Sequence, residues 1–277
     1  MYRNNYIYFN IISNIIGNKM NIHYTTTKGR RDTNEDKHTI RLNINNSSSK
    51  YNNINLFGIY DGHGGCDVSE YLSNNIEKFY CLPELQAPFL DDYHEKVFSI
   101  LQEQILSLKY KKGFKCGSTC LLNIMYKYRS NIYFNVVNLG DSRLVVIYRS
   151  GISKQITTDH KPEDVIEKTR IQKMGGTIYT DTEGTCRVGN LSLARAFGDG
   201  DNAPYISHMP DIHEIKLSPA IQFVVMACDG LWDVINNNEL YPLLIKQKQK
   251  KNLGALLAEE ALRRGSTDNI SVIVLEF

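Results

Sequence analysis

The sequence lacks most features that mark specialised classes of protein. Its 277 residues include one Trp, seven Pro and six Cys, and no apolar run approaches the roughly 20 residues of a membrane-spanning helix. No collagen or coiled-coil period is visible, and 42% hydrophobic with 22% charged residues exclude a chain disordered throughout. The 32 basic and 30 acidic residues leave a net charge of +2, so neither nucleic acid nor an anionic membrane is an expected partner.

The six cysteines have no recurring spacing, so we expect no disulfide framework and a reducing compartment, the cytoplasm and/or the nucleus. Cys116 and Cys120 are close in sequence, but a structural zinc site needs four ligands and no second pair follows. We therefore interpret both as strand residues.

Two segments have an unusual composition. Residues 1–22 are apolar but interrupted by Asn, without the continuous apolar core and cleavage site of a signal peptide, and Tyr2 excludes N-myristoylation. We predict a flexible or peripheral N-terminal extension over 1–22 and one domain over 23–277. The Asn-rich stretch 43–55 resembles a solvated loop or an insertion.

Hydrophobic periodicity predicts alternating strands and helices. We expect strands at 22–27, 37–42, 54–60, 117–126, 131–138, 143–149, 211–217, 221–227 and 270–277, and helices at 65–80, 91–112, 163–174, 236–249 and 252–264. Short Gly, Asp and Asn turns between strands favour antiparallel hairpins. Because the helices fall into separate blocks, the pattern is typical of an α+β layered fold, for example an antiparallel sandwich covered by helices.

Several carboxylates stand at predicted strand ends, beside small residues. Asp61 and Asp229 each follow an apolar strand and precede Gly, Asp268 precedes the last strand, and Glu35 and Asp36 precede another. Each Asp-Gly pair alone is an ordinary turn. Together they suggest a shared site for a hard divalent cation, which prefers oxygen ligands.

The motifs that surround these carboxylates form an ordered set. They read GRRDTNED, FGIYDGHGG, GSTC, VVNLGDSR, TTDHKPE, GGTI, RVGNLSLARAFGD, PDI, FVVMACDGLWDV and STDNISVIV. The match that they define runs from about residue 23 to the C-terminus, which is over nine tenths of the chain. In this order the sequence resembles the PP2C-type (PPM) family of metal-dependent protein serine/threonine phosphatases. The resemblance implies a four-layer α-β-β-α sandwich, with two central antiparallel sheets flanked by helices, and a flap-like segment at 162–190.

The resemblance implies two divalent cations, Mg²⁺ or Mn²⁺, bridged by one Asp and by a water that attacks phosphorus. Asp61 matches the bridging residue. The carbonyl of Gly62 and the carboxylate of Glu35 match further contacts of one ion, and Asp229 and Asp268 match ligands of the other. Two cations at such a site activate water and neutralise phosphate charge.

Four other residues match supporting positions of the family. Asp141 matches a ligand of a weak third metal, although it could instead fix Arg143 or a loop. Asp36 is expected to support the metal ligands from behind. Arg195 and Asp199 match a network behind the site, in which an Arg–carboxylate pair orients ligands.

Two residues match positions that handle the substrate. Arg31 lies four residues before Glu35, as the phosphate-binding Arg of the family does, and this spacing favours it over the adjacent Arg30. His63 matches the proposed general acid, which supplies a proton to the serine or threonine oxygen. We interpret His160 as structural or orienting.

The resemblance therefore implies hydrolysis of phosphoserine and phosphothreonine in phosphoprotein substrates by a monomer. A catalytically weak binding or regulatory protein with the same fold, or a small-molecule phosphohydrolase, remains an alternative. Cysteine-based catalysis is disfavoured because no Cys-x5-Arg loop exists. Two departures from the family pattern, the RVGN order and Ala194 where Ser is common, lie outside the metal ligands.

Overall fold

A computed structural model describes residues 7–15, 18–44, 54–81, 89–109, 112–247 and 252–277. Most of the Asn-rich stretch 43–55 lies outside these residues. The strands are β1 (Ile7–Ile15), β2 (Asn18–Thr27), β3 (Lys37–Arg41), β4 (Asn55–Tyr60), β5 (Gly62–His63), β6 (Gly117–Ser118), β7 (Cys120–Tyr128), β8 (Asn131–Leu139), β9 (Arg143–Tyr148), β10 (Ser153–Gln155), β11 (Ile178–Thr180), β12 (Cys186–Val188), β13 (Phe197–Gly198), β14 (Asp211–Lys216), β15 (Ile221–Ala227) and β16 (Ile270–Glu276). The α-helices are α1 (Asp67–Asn75), α2 (Glu77–Tyr80), α3 (Asp91–Leu106), α4 (Lys112–Lys115), α5 (Val165–Lys173), α6 (Asp229–Trp232), α7 (Leu240–Gln247) and α8 (Leu253–Arg263).

Two antiparallel sheets form the centre of the molecule. One has the strand order β1-β2-β16-β15-β9-β10, and the other has the order β14-β8-β7-β4-β3. A three-stranded sheet, β13-β6-β5, lies beside the functional site, and β11 pairs with β12 in a hairpin. Short turns join neighbouring strands such as β7 and β8, as the Gly, Asp and Asn turn signals predict.

The side chains of the central strands alternate between two cores. In β15, Val224 and Met226 pack between the two sheets, whereas Phe223 and Val225 pack against α6, α7 and α8. The outer face of the other sheet packs against α1 and α3 through residues such as Phe98. Because both faces of β15 are covered, nearly all of its residues are hydrophobic. The four layers run helix, sheet, sheet, helix, which confirms the expected α+β sandwich.

The predicted elements are present, but some of their limits differ. The predicted helix 65–80 is divided into α1 and α2. The predicted helix 91–112 ends at Leu106, and the separate helix α4 begins at Lys112. The predicted strand 117–126 breaks at Thr119 into β6 and β7. Strands of two residues such as β5, β6 and β13 have no periodic pattern, so hydrophobic alternation could not predict them.

The N-terminal segment belongs in part to the sandwich. Ile7–Ile15 pairs antiparallel with β2 as an edge strand of the six-stranded sheet. Met20 and Ile22 are buried in the core between the sheets. The expected domain boundary after residue 22 therefore falls inside β2, where Asn21 stands between the buried Met20 and Ile22.

The flap-like segment 162–190 consists of α5 and the β11–β12 hairpin. Together with the chain that follows it, this segment forms a small separate core, which includes Ile171, Val188 and Ile206. Among the described helices, none combines the length and the apolar character that crossing a membrane requires.

Candidate metal centre

Asp61 lies at the end of β4, where the chain turns into β5. Its backbone N–H donates to Thr119 Oγ1 at 3.1 Å, and the Thr119 N–H donates to the Asp61 carbonyl at 2.9 Å. The Thr119 hydroxyl is also 2.8 Å from Ser142 Oγ, beside the turn between β8 and β9. Thr119, the residue between β6 and β7, therefore fixes the backbone of Asp61.

Asp61 lies close to two other carboxylates, in a region where strands of both sheets end. Carboxylate oxygens of Asp61, Asp141 and Asp229 lie within 4.8 Å of one another. Asp229 begins α6 directly after β15. A Cβ atom at Gly230 would stand 2.0 Å from the Asn269 carbonyl, so only glycine lets this turn approach β16 closely.

Two carboxylates of this cluster, Asp61 and Asp229, have raised pKa values. Loss of hydration and the nearby charge of Asp229 raise the pKa of Asp61 well above its usual range. Loss of hydration and the charge of Asp141 do the same to the pKa of Asp229. Burial and repulsion among the carboxylates therefore disfavour their ionised forms, even with Lys161 paired to Asp141. A set of oxygen donors with surplus negative charge fits a hard divalent cation.

Asp36 lies behind Asp61, as expected for a supporting residue. Its carboxylate, Asp61 and the Cys228 sulfur have ligand atoms within 4.8 Å of one another. Cys228 Sγ donates to Asp36 Oδ2 at 3.4 Å, and Oδ1 of Asp36 is buried without a hydrogen-bond partner among the described residues. Burial raises the pKa of Asp36 to about 6. Cys228 was not predicted to take part, although it precedes Asp229 in the CDGLWD motif.

Glu35 and Gly62 lie side by side at the cleft. The Gly65 N–H donates to Glu35 Oε2 at 3.0 Å, and Ser69 Oγ donates to the Glu35 carbonyl at 2.5 Å. The Glu35 N–H donates to Asn269 Oδ1 at 2.8 Å, so Asn269 organises this loop from the start of β16. Asn269 was not among the predicted site residues, although it follows Asp268 in the STDN motif.

Arg31 reaches the mouth of the same cleft. Its Nη2 lies 2.6 Å from Asp268 Oδ2, and 59% of its side chain is exposed. Arg31 and Asp268 both line the cleft, whereas Arg30 does not belong to the described lining. The binding of phosphate by Arg31 stays a prediction, and its side chain is placed in the cleft where a phosphate would enter.

His63 lines the cleft from β5, and its ring is held from behind. Its Nε2 lies 2.7 Å from Asp199 Oδ2. The side chain of Asp199 is only 3% exposed, whereas that of His63 is 24% exposed. His63 therefore combines a buried carboxylate partner with access to the cleft.

Among the described contacts, Asp141 pairs with a residue of the loop after β10 and not with Arg143. Arg143 pairs instead with Asp159, at 2.5 Å between Nη2 and Oδ2 and 3.1 Å between Nε and Oδ1. The partner of Asp141 is Lys161, whose Nζ bonds Oδ2. Lys161 was missed, although the DHKP motif signalled this segment.

Arg195 and Asp199 do not belong to one network, contrary to the expectation. Arg195 lies 2.5 Å from Glu167 and 2.9 Å from Asp211, so it anchors the flap helix α5. His160 Nε2 lies 3.1 Å from Asp211 Oδ2, and His160 Nδ1 accepts from the Gly140 N–H at 3.0 Å. Gly198 has φ +80° and Asp199 has φ +49°, so the chain turns just before Asp199 and directs its side chain away from Arg195. The motif itself does not show this turn.

The opposite wall of the cleft comes from the flap-like segment and the chain that follows it, including Arg187, Asn190 and Leu193. The cleft thus places carboxylates, an arginine and a histidine between a rigid sandwich and the flap. Carboxylates that could hold a divalent cation, an arginine and a histidine are the kinds of group that metal-assisted hydrolysis of phosphate esters uses.

Comparison with known proteins identifies the family. A family model described as "Protein phosphatase 2C" matches residues 20–270. The chain is 34% identical over 263 residues to "Probable protein phosphatase 2C 11" of Arabidopsis thaliana, covering 94% of this chain and 67% of the relative. It is 32% identical to "Probable protein phosphatase 2C 45" of Oryza sativa subsp. japonica, covering 94% and 88% respectively. The chain belongs to the protein phosphatase 2C family, and its function is metal-dependent protein dephosphorylation.

Solved structures share the fold. A serine-threonine phosphatase 2C from Toxoplasma gondii superposes with a TM-score of 0.81 at 21% identity, over 98% of this chain and 99% of that one. A sex determining protein of C. elegans superposes with a TM-score of 0.80 at 27% identity, over 92% of this chain. This chain spans 64% of the length of the C. elegans chain.

Proposed function

We propose that this protein hydrolyses phosphoserine and phosphothreonine esters in phosphoprotein substrates with Mg²⁺ or Mn²⁺ as cofactor. The observation that supports it best is the convergence of Asp61, Asp141 and Asp229 in one cleft with Arg31 and His63.

Two divalent cations would be held by the carboxylates of Asp61, Asp229, Asp268 and Glu35 and by the Gly62 carbonyl. All of these donors are oxygens, which favours Mg²⁺ or Mn²⁺ over metals that prefer sulfur. Cations there would neutralise phosphate charge and make water a better nucleophile.

A third cation would use Asp141. Lys161 bonds this carboxylate in the structure, so an ammonium already supplies part of the charge that a third ion would bring. This contact is consistent with weak binding of a third ion.

Arg31 and His63 would act on the substrate directly. The exposed guanidinium of Arg31 can grip two phosphate oxygens in one plane. In hydrolysis, water forms a bond to phosphorus while the bond between phosphorus and the serine or threonine oxygen breaks. His63 gives a proton to that departing oxygen, so the products are the free hydroxyl side chain and inorganic phosphate.

The cleft lies open between the sandwich and the flap, which suits a phosphorylated segment of a protein chain. The protein would act as a monomer in the cytoplasm and/or the nucleus, as the sequence leads us to expect.

The test is a phosphatase assay on phosphoserine, phosphothreonine and phosphotyrosine peptides and on small phosphates, with EDTA, Mg²⁺ or Mn²⁺. We expect cation-dependent release of phosphate from the first two peptides. Asp61→Asn should abolish it, whereas Asp92→Asn, at an exposed carboxylate on α3 paired with Lys96, should not. Activity that survives EDTA, or activity on small phosphates alone, would contradict the proposal.

A further inference from the structure

The starting observation concerns Gln102, which lies on α3 in an outer layer of the sandwich. Its side-chain amide forms two hydrogen bonds to one backbone residue of β13. Gln102 Nε2 donates to the Gly198 carbonyl at 2.9 Å, and the Gly198 N–H donates to Gln102 Oε1 at 2.8 Å. A bidentate side-chain bond of this kind fixes both the position and the orientation of the peptide groups that it holds.

The backbone that Gln102 holds is in an unusual conformation. Gly198 has φ +80° and Asp199 has φ +49°, both in the left-handed region. A non-glycine residue rarely adopts this region and remains there only where its surroundings hold it. The Asp199 N–H donates to the Cys116 carbonyl at 3.0 Å, so the turn is fixed on two sides. This turn directs the Asp199 carboxylate inward.

The three-stranded sheet brings that carboxylate to His63. In the middle strand, Gly117 pairs with Gly198 on one side and with His63 on the other. A Cβ atom at Gly117 would stand 2.1 Å from Asp199 Oδ2 and 2.2 Å from His63 Nε2. The hydrogen bond between Asp199 and His63 therefore occupies the space that any larger residue at position 117 would fill.

The bond between these two residues also determines the orientation of the imidazole. An ionised Asp199 can only accept, so Nε2 of His63 would donate to it. The proton that His63 gives to the leaving oxygen would then come from Nδ1 of the imidazolium form of the ring. A ring that rotates away from Asp199 loses this alignment with the leaving oxygen.

We propose that Asp199 and Gln102 are positioning residues for His63: Gln102 fixes the left-handed turn, and the turn holds Asp199 against the imidazole ring. This inference rests on the proposed function, because it assigns His63 the role of proton donor. It connects helix α3, which does not contact the metal ligands described above, to the leaving-group side of the reaction.

The experiment compares two substrates. A phosphoserine peptide has an alkoxide leaving group that needs a proton, whereas p-nitrophenyl phosphate has a leaving group that does not. For the peptide we expect kcat to fall about 10–100-fold in Asp199→Asn and about tenfold in Gln102→Leu, as is typical for residues that orient a catalytic group. For the aryl phosphate, kcat should change less than about twofold, and KM should stay similar for both substrates.

Two further variants sharpen the comparison. Gln102→Glu keeps an acceptor for the Gly198 N–H but loses the donor to the Gly198 carbonyl, so its loss should lie between wild type and Gln102→Leu. Gln104→Leu is the matched control on the same helix, because Gln104 only accepts a hydrogen bond from Tyr71 at 2.8 Å. Its activity on both substrates should equal that of the wild type.

Equal losses on both substrates in Gln102→Leu and Gln102→Glu, or no loss in either, would overturn the inference, because a merely structural role does not distinguish leaving groups. If Gln102→Leu does not fold, Gln102→Glu and Asp199→Asn decide. His63→Ala distinguishes a failure of this inference from a failure of the proposed phosphatase activity. If it slows both substrates equally, His63 is not the proton donor and the inference fails, although cation-dependent phosphatase activity would remain.

Discussion

Arg31 and Asp268 are 237 positions apart in the sequence, yet Arg31 Nη2 lies 2.6 Å from Asp268 Oδ2. They meet because β2 and β16 are neighbours in the six-stranded sheet, with Thr27 paired to Ile270. The loop after β2 and the loop before β16 therefore open side by side. Residues from near the two ends of the sequence therefore line the same cleft.

The exposed guanidinium of Arg31 leads to a prediction about substrate binding. Arg31→Ala should raise KM for a phosphopeptide about tenfold or more, with a smaller change in kcat, because charge-assisted hydrogen bonds to phosphate are lost. Arg30→Ala, at the exposed neighbouring position, is the control and should leave KM unchanged. A fall in kcat alone would count against a phosphate contact. Titration with Mn²⁺ should accompany the assay, because Arg31 also pairs with Asp268.

A buried histidine leads to a prediction about acid stability. His94 is fully buried on α3, its Nδ1 lies 2.9 Å from Tyr80 Oη, and burial lowers its pKa from 6.5 to about 4. The folded protein binds this proton less readily than the unfolded chain does. The free energy of unfolding should therefore fall as the pH drops from about 6.5 to about 4, by about 1.4 kcal/mol per pH unit for one such group.

Urea denaturation at several pH values would measure this dependence. His38 contributes in the same direction, because its pKa is also lowered to about 4, mainly by burial. His94→Gln should consequently reduce the slope between pH 4 and 6.5 without removing it. An unchanged slope in His94→Gln would contradict the assignment to His94.

The anchor of the flap helix leads to a prediction about local stability. Glu167 on α5 is 1% exposed and contacts Arg170 at 2.9 Å and Arg195 at 2.5 Å. Glu167→Gln removes the negative charge between two guanidinium groups, which should destabilise this contact by about 3 kcal/mol. Amide hydrogen exchange in α5 should accelerate accordingly. Glu163→Gln, at an exposed position just before the helix, should leave the exchange rates as they are.

The core between the sheets contains an amide that should be replaceable. Asn123 is fully buried, it is in register with Phe57 and Val136, and neither of its side-chain amide atoms has a hydrogen-bond partner among the described residues. Asn123→Leu should raise the free energy of unfolding by about 1 kcal/mol, because it removes an unpaired polar group from an apolar site.

Thermal denaturation of two variants would check this expectation. Asn138→Leu is the contrasting variant, since Nδ2 of Asn138 donates to the carbonyls of Gly140 and Thr158. Its melting temperature should fall while that of Asn123→Leu rises. A lower melting temperature for Asn123→Leu would show that the amide is satisfied in solution, for example by buried water.

Local sequence signals predicted most of the regular structure. Strands such as β15 and β16 were readable because most of their residues are apolar and many are β-branched, and α8 because its apolar residues recur at helical spacing. The short strand β6 was not separable from β7, since the break at Thr119 depends on a contact with Asp61. The N-terminal limit was misplaced because Met20 and Ile22 are recognisable as core residues only when β16 lies beside them.

The sequence by itself determined the chemistry of this protein: carboxylates at strand ends, an arginine at the start and a histidine among glycines. These groups are carried by short motifs whose residues are adjacent in the chain. Only the tertiary structure decided which groups meet. It joined Asp199 to His63, Arg195 to Glu167 and Asp141 to Lys161. The physical reason is that a hydrogen bond needs its atoms within about 3 Å, and strand pairing and helix packing bring together residues that are far apart in the sequence.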